Sequence, residues 1–221
     1  MADQAGVVDG MAICSNGALV LDLAHDQLFR HRPLPSEIAV EVIHALREHL
    51  PGVCFATETE SSFALEPAFE GAWDGWKLPP GALFGDALEL VTSPVTKLIA
   101  RDTTRTTDEL AAIAAEVVGD RAAVSHAGTR VVEITLIGVS KGAALEELAA
   151  DLGIDARHTV AFGDYPNDLP MLAWAGRSLA PANAHETVLA EVDEVTESND
   201  DDGVARAIER LLKARWGQAS A

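Results

Sequence analysis

A chain of 221 residues, 48% of them hydrophobic, has enough apolar material for one domain or two small ones and is not a disordered composition. The 35 acidic against 16 basic residues leave a formal charge of -19, which repels phosphate backbones and anionic lipid heads and argues against nucleic-acid and membrane partners. Cys14 and Cys54 form no disulfide framework, no apolar stretch approaches bilayer length, and Met1-Ala2-Asp3-Gln4 opens no signal peptide, so the expected setting is cytoplasmic and soluble.

In chain order, Met11 to Ser15 reads as a short strand ending in the Asn16-Gly17 turn, and Ala18 to Leu23 and Gln27 to Phe29 read as a hairpin. Ser36 is placed to cap a helix whose apolar face is Ile38, Val42, Leu46 and Leu50, stopped by Pro51-Gly52. Strands are expected at Val53 to Thr57 and Ser62 to Leu65. From Pro67 to Pro94 the period breaks on Gly, Pro and Trp, and Trp73 and Trp76 read as packing locally or lining a pocket, with packing the better-supported of the two. A strand over Val95 to Ala100 leads to a helix from Thr107, with Leu110, Ile113 and Val117 on one face. A strand pair then spans Arg121 to Ser125 and Arg130 to Thr135 across the His126-Ala127-Gly128-Thr129 turn.

Ser140-Lys141-Gly142 begins a helix with Leu145, Leu148 and Leu152 on its buried face and Gly153 at its end. Thr159 to Phe162 is a buried strand and Gly163 lets the chain turn. Asp164 and Asp168 therefore stand where a strand ends, the side of an α/β sheet on which ligands bind, and their carboxylates suit Mg²⁺. The plainer reading is that Asn167 or Asp168 caps the helix containing Pro170 and that Asp164 is a turn residue. Strands at Ser178 to Ala180 and Glu194 to Thr196, with helices over His185 to Val192 and Val204 to Trp216, complete a βαβ alternation that predicts a parallel sheet.

The stretch Gly163-Asp164-Tyr165-Pro166-Asn167-Asp168 resembles motif IV of the haloacid dehalogenase superfamily, in the GDxxND form of its Cof-type branch. Ser15-Asn16-Gly17-Ala18 resembles that branch's SNGA segment, Gly138 to Gly142 its motif III, and Asn183-Ala184 its NA segment. The resemblance implies an α/β fold: a Rossmannoid parallel-sheet core from residues 1–34 and 137–221, with an inserted α+β cap over 35–136. It implies an Mg²⁺-dependent phosphomonoester hydrolase acting on a small phosphorylated metabolite such as a sugar phosphate. Lys141 would neutralise the phosphoryl group, Asp164 would hold the metal, and Asp168 would hold the metal shell or orient Lys141. Asn167 would face the substrate, with Asn16, Gly17 and Asn183 around the pocket. For Asn183 a turn residue bonding its own backbone is an equal alternative.

The family's nucleophile, the first Asp of a DxDGT motif, has no counterpart here: Val7-Val8-Asp9-Gly10-Met11 has Val7 at that place. Asp200-Asp201-Asp202-Gly203 spells DxDG but reads as an acidic helix start. The expectation is therefore that Met1 aligns just before the third core strand of the complete family fold. The strand Thr159 to Phe162 would then lack a neighbour, and the chain alone is expected to be unstable, to associate with itself, or to pair its core through a different strand. The alternative function is a catalytically inactive binding or assembly protein of the same descent.

Overall fold

The computed structural model describes residues 9–69, 78–128 and 130–217. Val7, Val8, Trp73, Trp76 and Thr129 lie outside the described residues. The structure divides into two compact units, residues 1–144 and 145–221.

In the first unit, β1 (Met11–Cys14), β2 (Leu19–Asp22) and β3 (Gln27–His31) form an antiparallel sheet in that order. The bend between β1 and β2 starts one residue earlier than Asn16-Gly17 indicates. Ser15, Asn16 and Gly17 all have positive φ, at 47°, 57° and 97°. Asn and Gly tolerate that region, whereas Ser15 there costs about 1 kcal/mol and must be held by its surroundings.

A six-stranded mixed sheet carries most of this unit's core, in the order β6 (Leu83–Phe84), β5 (Phe63–Leu65), β4 (Cys54–Glu58), β7 (Lys97–Arg101), β9 (Val132–Thr135), β8 (Ala123–Ser125). Helices α1 (Ser36–His49) and α3 (Thr107–Val118) share one hydrophobic cluster with Phe55, Leu98, Ala100, Val132 and Ile134. The two-residue period of a strand sends Cys54, Ala56, Ile99 and Val131 into a second cluster with Phe63, Leu65 and Phe69. Glu58, Lys97 and Glu133 share the parity of this second set, so charged side chains extend the face opposite the helices.

Local chemistry sets the ends of these helices. Thr106 and Glu109 form a reciprocal capping box on α3, and Asp86 caps the short α2 (Ala87–Leu90) by accepting from Leu88 N–H at 2.9 Å. Ser36 is not the cap of α1. Pro35 occupies the N-cap position, its carbonyl accepting from Ala39 N–H, so Ser36 is the first helical residue and its hydroxyl turns to Glu37.

Helix α4 (Lys141–Leu152) runs across residue 144. In the second unit β10 (Val160–Phe162), β11 (Arg177–Pro181) and β12 (Glu194–Thr196) form the expected parallel sheet. Crossovers through α5 (Leu169–Trp174) and α6 (Glu186–Leu189) join them, and α7 (Gly203–Gly217) follows. Ala161, Leu172, Ala180 and Val188 form its core. Among the described residues β10 is an edge strand with Val160 exposed, and β1 to β3 pair with none of β10 to β12, so the segments flanking 35–136 contribute separate sheets. The acidic run at Asp200 forms the turn before α7, with Asp202 left-handed at φ 58°.

Candidate active site

Strand β10 ends at Phe162, and the backbone of Gly163 passes directly over Asp168. A β-carbon at Gly163 would lie 2.5 Å from Asp168 Cβ and 3.1 Å from its Oδ2. Asp168 is buried, and its Oδ2 accepts from the backbone N–H of Asp164 at 3.0 Å and of Tyr165 at 3.3 Å. The peptide at Asp164 is held from the other side as well, because its carbonyl accepts from His185 N–H at 2.8 Å. The loop is thereby fixed at the carboxyl end of a parallel strand. Asp168 stands at the N-cap of α5 but makes no side-chain cap bond there, unlike the plainer sequence reading; its carboxylate bonds the N–H groups before it and so fixes the backbone on which Asp164 stands. Asn167 is buried in the same turn.

Among the described residues no group of three His, Cys, Asp or Glu side chains is arranged to enclose a metal ion. That is compatible with Mg²⁺, which is commonly held by one or two carboxylates together with waters and phosphate oxygens. Asp164 offers such a hard oxygen donor on a braced loop, so the donor chemistry fits.

The Asn183 Oδ1 accepts from Asn199 N–H at 2.9 Å, tying the turn after β11 to the one before α7. Asn16 and Gly17 stand in the first unit with Lys141. The Ser140 hydroxyl accepts from Ala143 N–H at 3.1 Å and starts α4, placing Lys141 in its first turn. Gly17 packs against this start so closely that a β-carbon would overlap the Ser140 carbonyl and lie 3.0 Å from Ala144 Cβ. The Asn16 amide donates to Glu133 Oε2 at 2.7 Å and to Ser125 Oγ at 3.3 Å.

These contacts expose residues that sequence reasoning passed over. Lys97 lies 2.6 Å from Glu133 and 3.4 Å from Glu58, and the Ser15 hydroxyl donates to Glu58. Burial works against the Lys97 charge, yet the two carboxylates outweigh it and raise its pKa. The available signal was that Glu58, Lys97 and Glu133 share their parity with the apolar Ala56, Ile99 and Val131.

A family model for haloacid dehalogenase-like hydrolases matches residues 2–208. The chain belongs to that family. Among curated relatives, the haloacid dehalogenase-like chain is 29% identical over 170 residues to the chloroplastic endoribonuclease YBEY of Arabidopsis thaliana, which is 76% of this chain and 29% of that protein. It is 38% identical over 94 residues to the 5-amino-6-(5-phospho-D-ribitylamino)uracil phosphatase YwtE of Bacillus subtilis, covering 42% of this chain and 33% of the relative. The chain thus spans about a third of the length of the curated relatives it matches. A solved subclass IIB sugar phosphatase of the superfamily superposes with a TM-score of 0.78 over 95% of this chain and 78% of the other, at 21% identity. That likeness shows the fold: an α/β haloacid dehalogenase-like fold with a cap domain. Among the described residues no helix is long and apolar enough to cross a membrane.

Proposed function

We propose that the chain carries the metal- and phosphate-handling part of a Mg²⁺-dependent phosphomonoesterase acting on a small phosphorylated metabolite such as a sugar phosphate. The observation that carries this reading is the Gly163 to Asp168 loop, whose buried carboxylate holds the Asp164 peptide at the end of a parallel strand. Family membership and relatives named as phosphatases support it. In this reading residues 1–34 and 137–221 are the core and 35–136 the cap.

Each residue has a defined task. Bound Mg²⁺ would supply positive charge to the phosphoryl oxygens. Asp164 would hold it, and Asp168 keeps Asp164 in place by accepting from its backbone. Lys141 brings a compact ammonium to the phosphoryl group, offsetting charge that would repel an attacking carboxylate. Asn167 faces the phosphoryl group or its leaving oxygen. No residue described in this chain is assigned the nucleophile.

The test is binding rather than turnover. Calorimetric titration of the full chain with Mg²⁺ and then inorganic phosphate is expected to show phosphate binding that needs the metal. Asp164→Asn and Lys141→Ala should each weaken it at least about tenfold, which corresponds to the loss of a charge-assisted contact. Phosphate binding that ignores both substitutions would refute the assignment.

A further inference from the structure

The end of β7 remote from Lys97 carries a separate concentration of basic side chains. Arg101 closes that strand, about 13 Å along it from Lys97, and so stands away from the turn where Ser15 and Asn16 meet Glu58 and Glu133. The loop from β7 to α3 supplies Arg105, and the turn between β8 and β9 supplies Arg130. With Asp102, Thr103 and Thr107 the three arginines line one cleft of about 350 Å³, within the usual range of small-molecule sites, about 300–1,000 Å³. Three guanidiniums against one carboxylate give this lining a net positive charge, in a chain whose formal charge is -19. Such a chain repels anions at long range, so an anion that binds here is held by the local arrangement.

The acid of the lining braces the site rather than opposing it. The Asp102 side chain is 1% exposed and accepts from Thr104 N–H at 2.8 Å, from the Thr104 hydroxyl at 2.6 Å and from Arg105. Burial acts against its charge, but the Thr104 hydrogen bonds and the Arg105 charge outweigh it and hold the carboxyl below its ordinary value. Arg105 is thereby fixed through one nitrogen, Nη1, which meets Asp102 and Thr104 Oγ1, and a guanidinium carries five N–H donors in a planar fork. The acids in the first turn of α3 face their own neighbours: Glu109 accepts from Thr106 in the capping box, and Asp108 lies 3.1 Å from His126 Nε2. Arg101 donates to the Phe69 carbonyl at 3.3 Å. Among the described residues no carboxylate pairs with Arg130. Since the capping box serves the start of α3, the donors of this cleft are side chains.

We infer that the cleft binds a compact small molecule carrying two anionic groups, one met by the fork of Arg105 and the other by that of Arg130, with Arg101 adding charge. It uses none of the residues assigned to the phosphoryl group and does not rest on the phosphatase reading. A guanidinium fork matches phosphate and carboxylate oxygens alike, so either group satisfies the site. A ligand with a single anionic group meets one fork and is held more weakly.

Calorimetric titration of the full chain without added metal tests this, with pyrophosphate and citrate as the two-group probes and inorganic phosphate as the one-group probe. At least one of the first two is expected to bind, at least about tenfold more tightly than inorganic phosphate, the second charge-assisted contact being worth that factor. Whichever binds more tightly assigns phosphate or carboxylate as the preferred group. Arg130→Gln should weaken binding at least about tenfold. Arg105→Lys should weaken it as well, because the ammonium keeps the charge and loses the fork. Lys141→Ala should leave it unchanged, and a thermal melt confirms that each variant is folded. Three results would overturn the inference: no binding of either two-group probe, binding that survives both arginine substitutions in folded protein, or binding lost with Lys141→Ala. Failure of the phosphatase reading would appear instead in the metal-dependent titrations of Asp164→Asn and would leave this site standing.

Discussion

Gly17 and Ser140 are separated by more than half the chain and meet with no room for a methyl group: a β-carbon on Gly17 would lie 2.8 Å from the Ser140 carbonyl carbon. The φ of 97° at Gly17 independently disfavours a side chain. Gly17→Ala is therefore expected to cost at least about 2 kcal/mol from backbone strain and overpacking together. Urea unfolding provides the measurement, and a midpoint equal to that of the wild type would show that the turn can move away from α4.

Gly163 is constrained by a side chain rather than by its own dihedral. Gly163→Ala would press on Asp168 and loosen its hold on the Asp164 and Tyr165 N–H groups. Loss of about 1–3 kcal/mol is expected for leaving buried polar groups unmade. Metal-dependent phosphate binding should weaken along with stability. If calorimetry shows stability lost and phosphate binding intact, the loop does not position the ligand.

Lys97 lies between two acids, Glu58 and Glu133, in a partly buried place. Replacing it by Met leaves Glu58 and Glu133 facing each other, and breaking such a pair costs about 3 kcal/mol, the lower end of the range because Glu58 retains solvent. The triple substitution Glu58→Gln, Lys97→Met, Glu133→Gln should recover much of that loss. Equal melting temperatures for Lys97→Met and the triple variant would contradict the electrostatic account.

Asp86 contributes a pH dependence of known sign. Its hydrogen bond with Arg47 and then the Leu88 N–H hold its carboxyl below the ordinary value of 3.8. A depressed folded value means the unfolded chain takes up the proton first as pH falls, so this contribution is complete above 3.8 and is lost as pH drops through the lower folded value. Asp86→Asn should lower the urea midpoint at about pH 6, and the difference from wild type should shrink by about pH 3. A constant difference would place the role of Asp86 elsewhere.

Burial pushes the Cys54 thiol up to about 11, against the pull of Arg101. Thiolate is the reactive form, so at about pH 8 native protein should resist iodoacetamide at Cys54 and react there only once unfolded, as read by peptide mass mapping. Rapid labelling of Cys54 in the folded chain would show that β4 opens.

The sequence by itself determined most of the local structure. Periodicities of two and of three to four placed the strands and helices, since each records which face meets apolar surroundings. The motif at Gly163 to Asp168 was legible because its residues are contiguous and one loop brings them together. Capping was less so: whether Ser36 or Pro35 caps α1 depends on where the chain enters from β3, which the short motif does not record. Asn183 was readable as a turn residue, but its bond to Asn199 spans 16 positions and needed the parallel strands to be laid side by side. The Glu58, Lys97 and Glu133 cluster belongs wholly to the tertiary structure. Its members come from three strands separated by loops and helices, and only the register of β4, β7 and β9 places an ammonium between two carboxylates, with Ser15 and Asn16 brought against them from the amino-terminal turn.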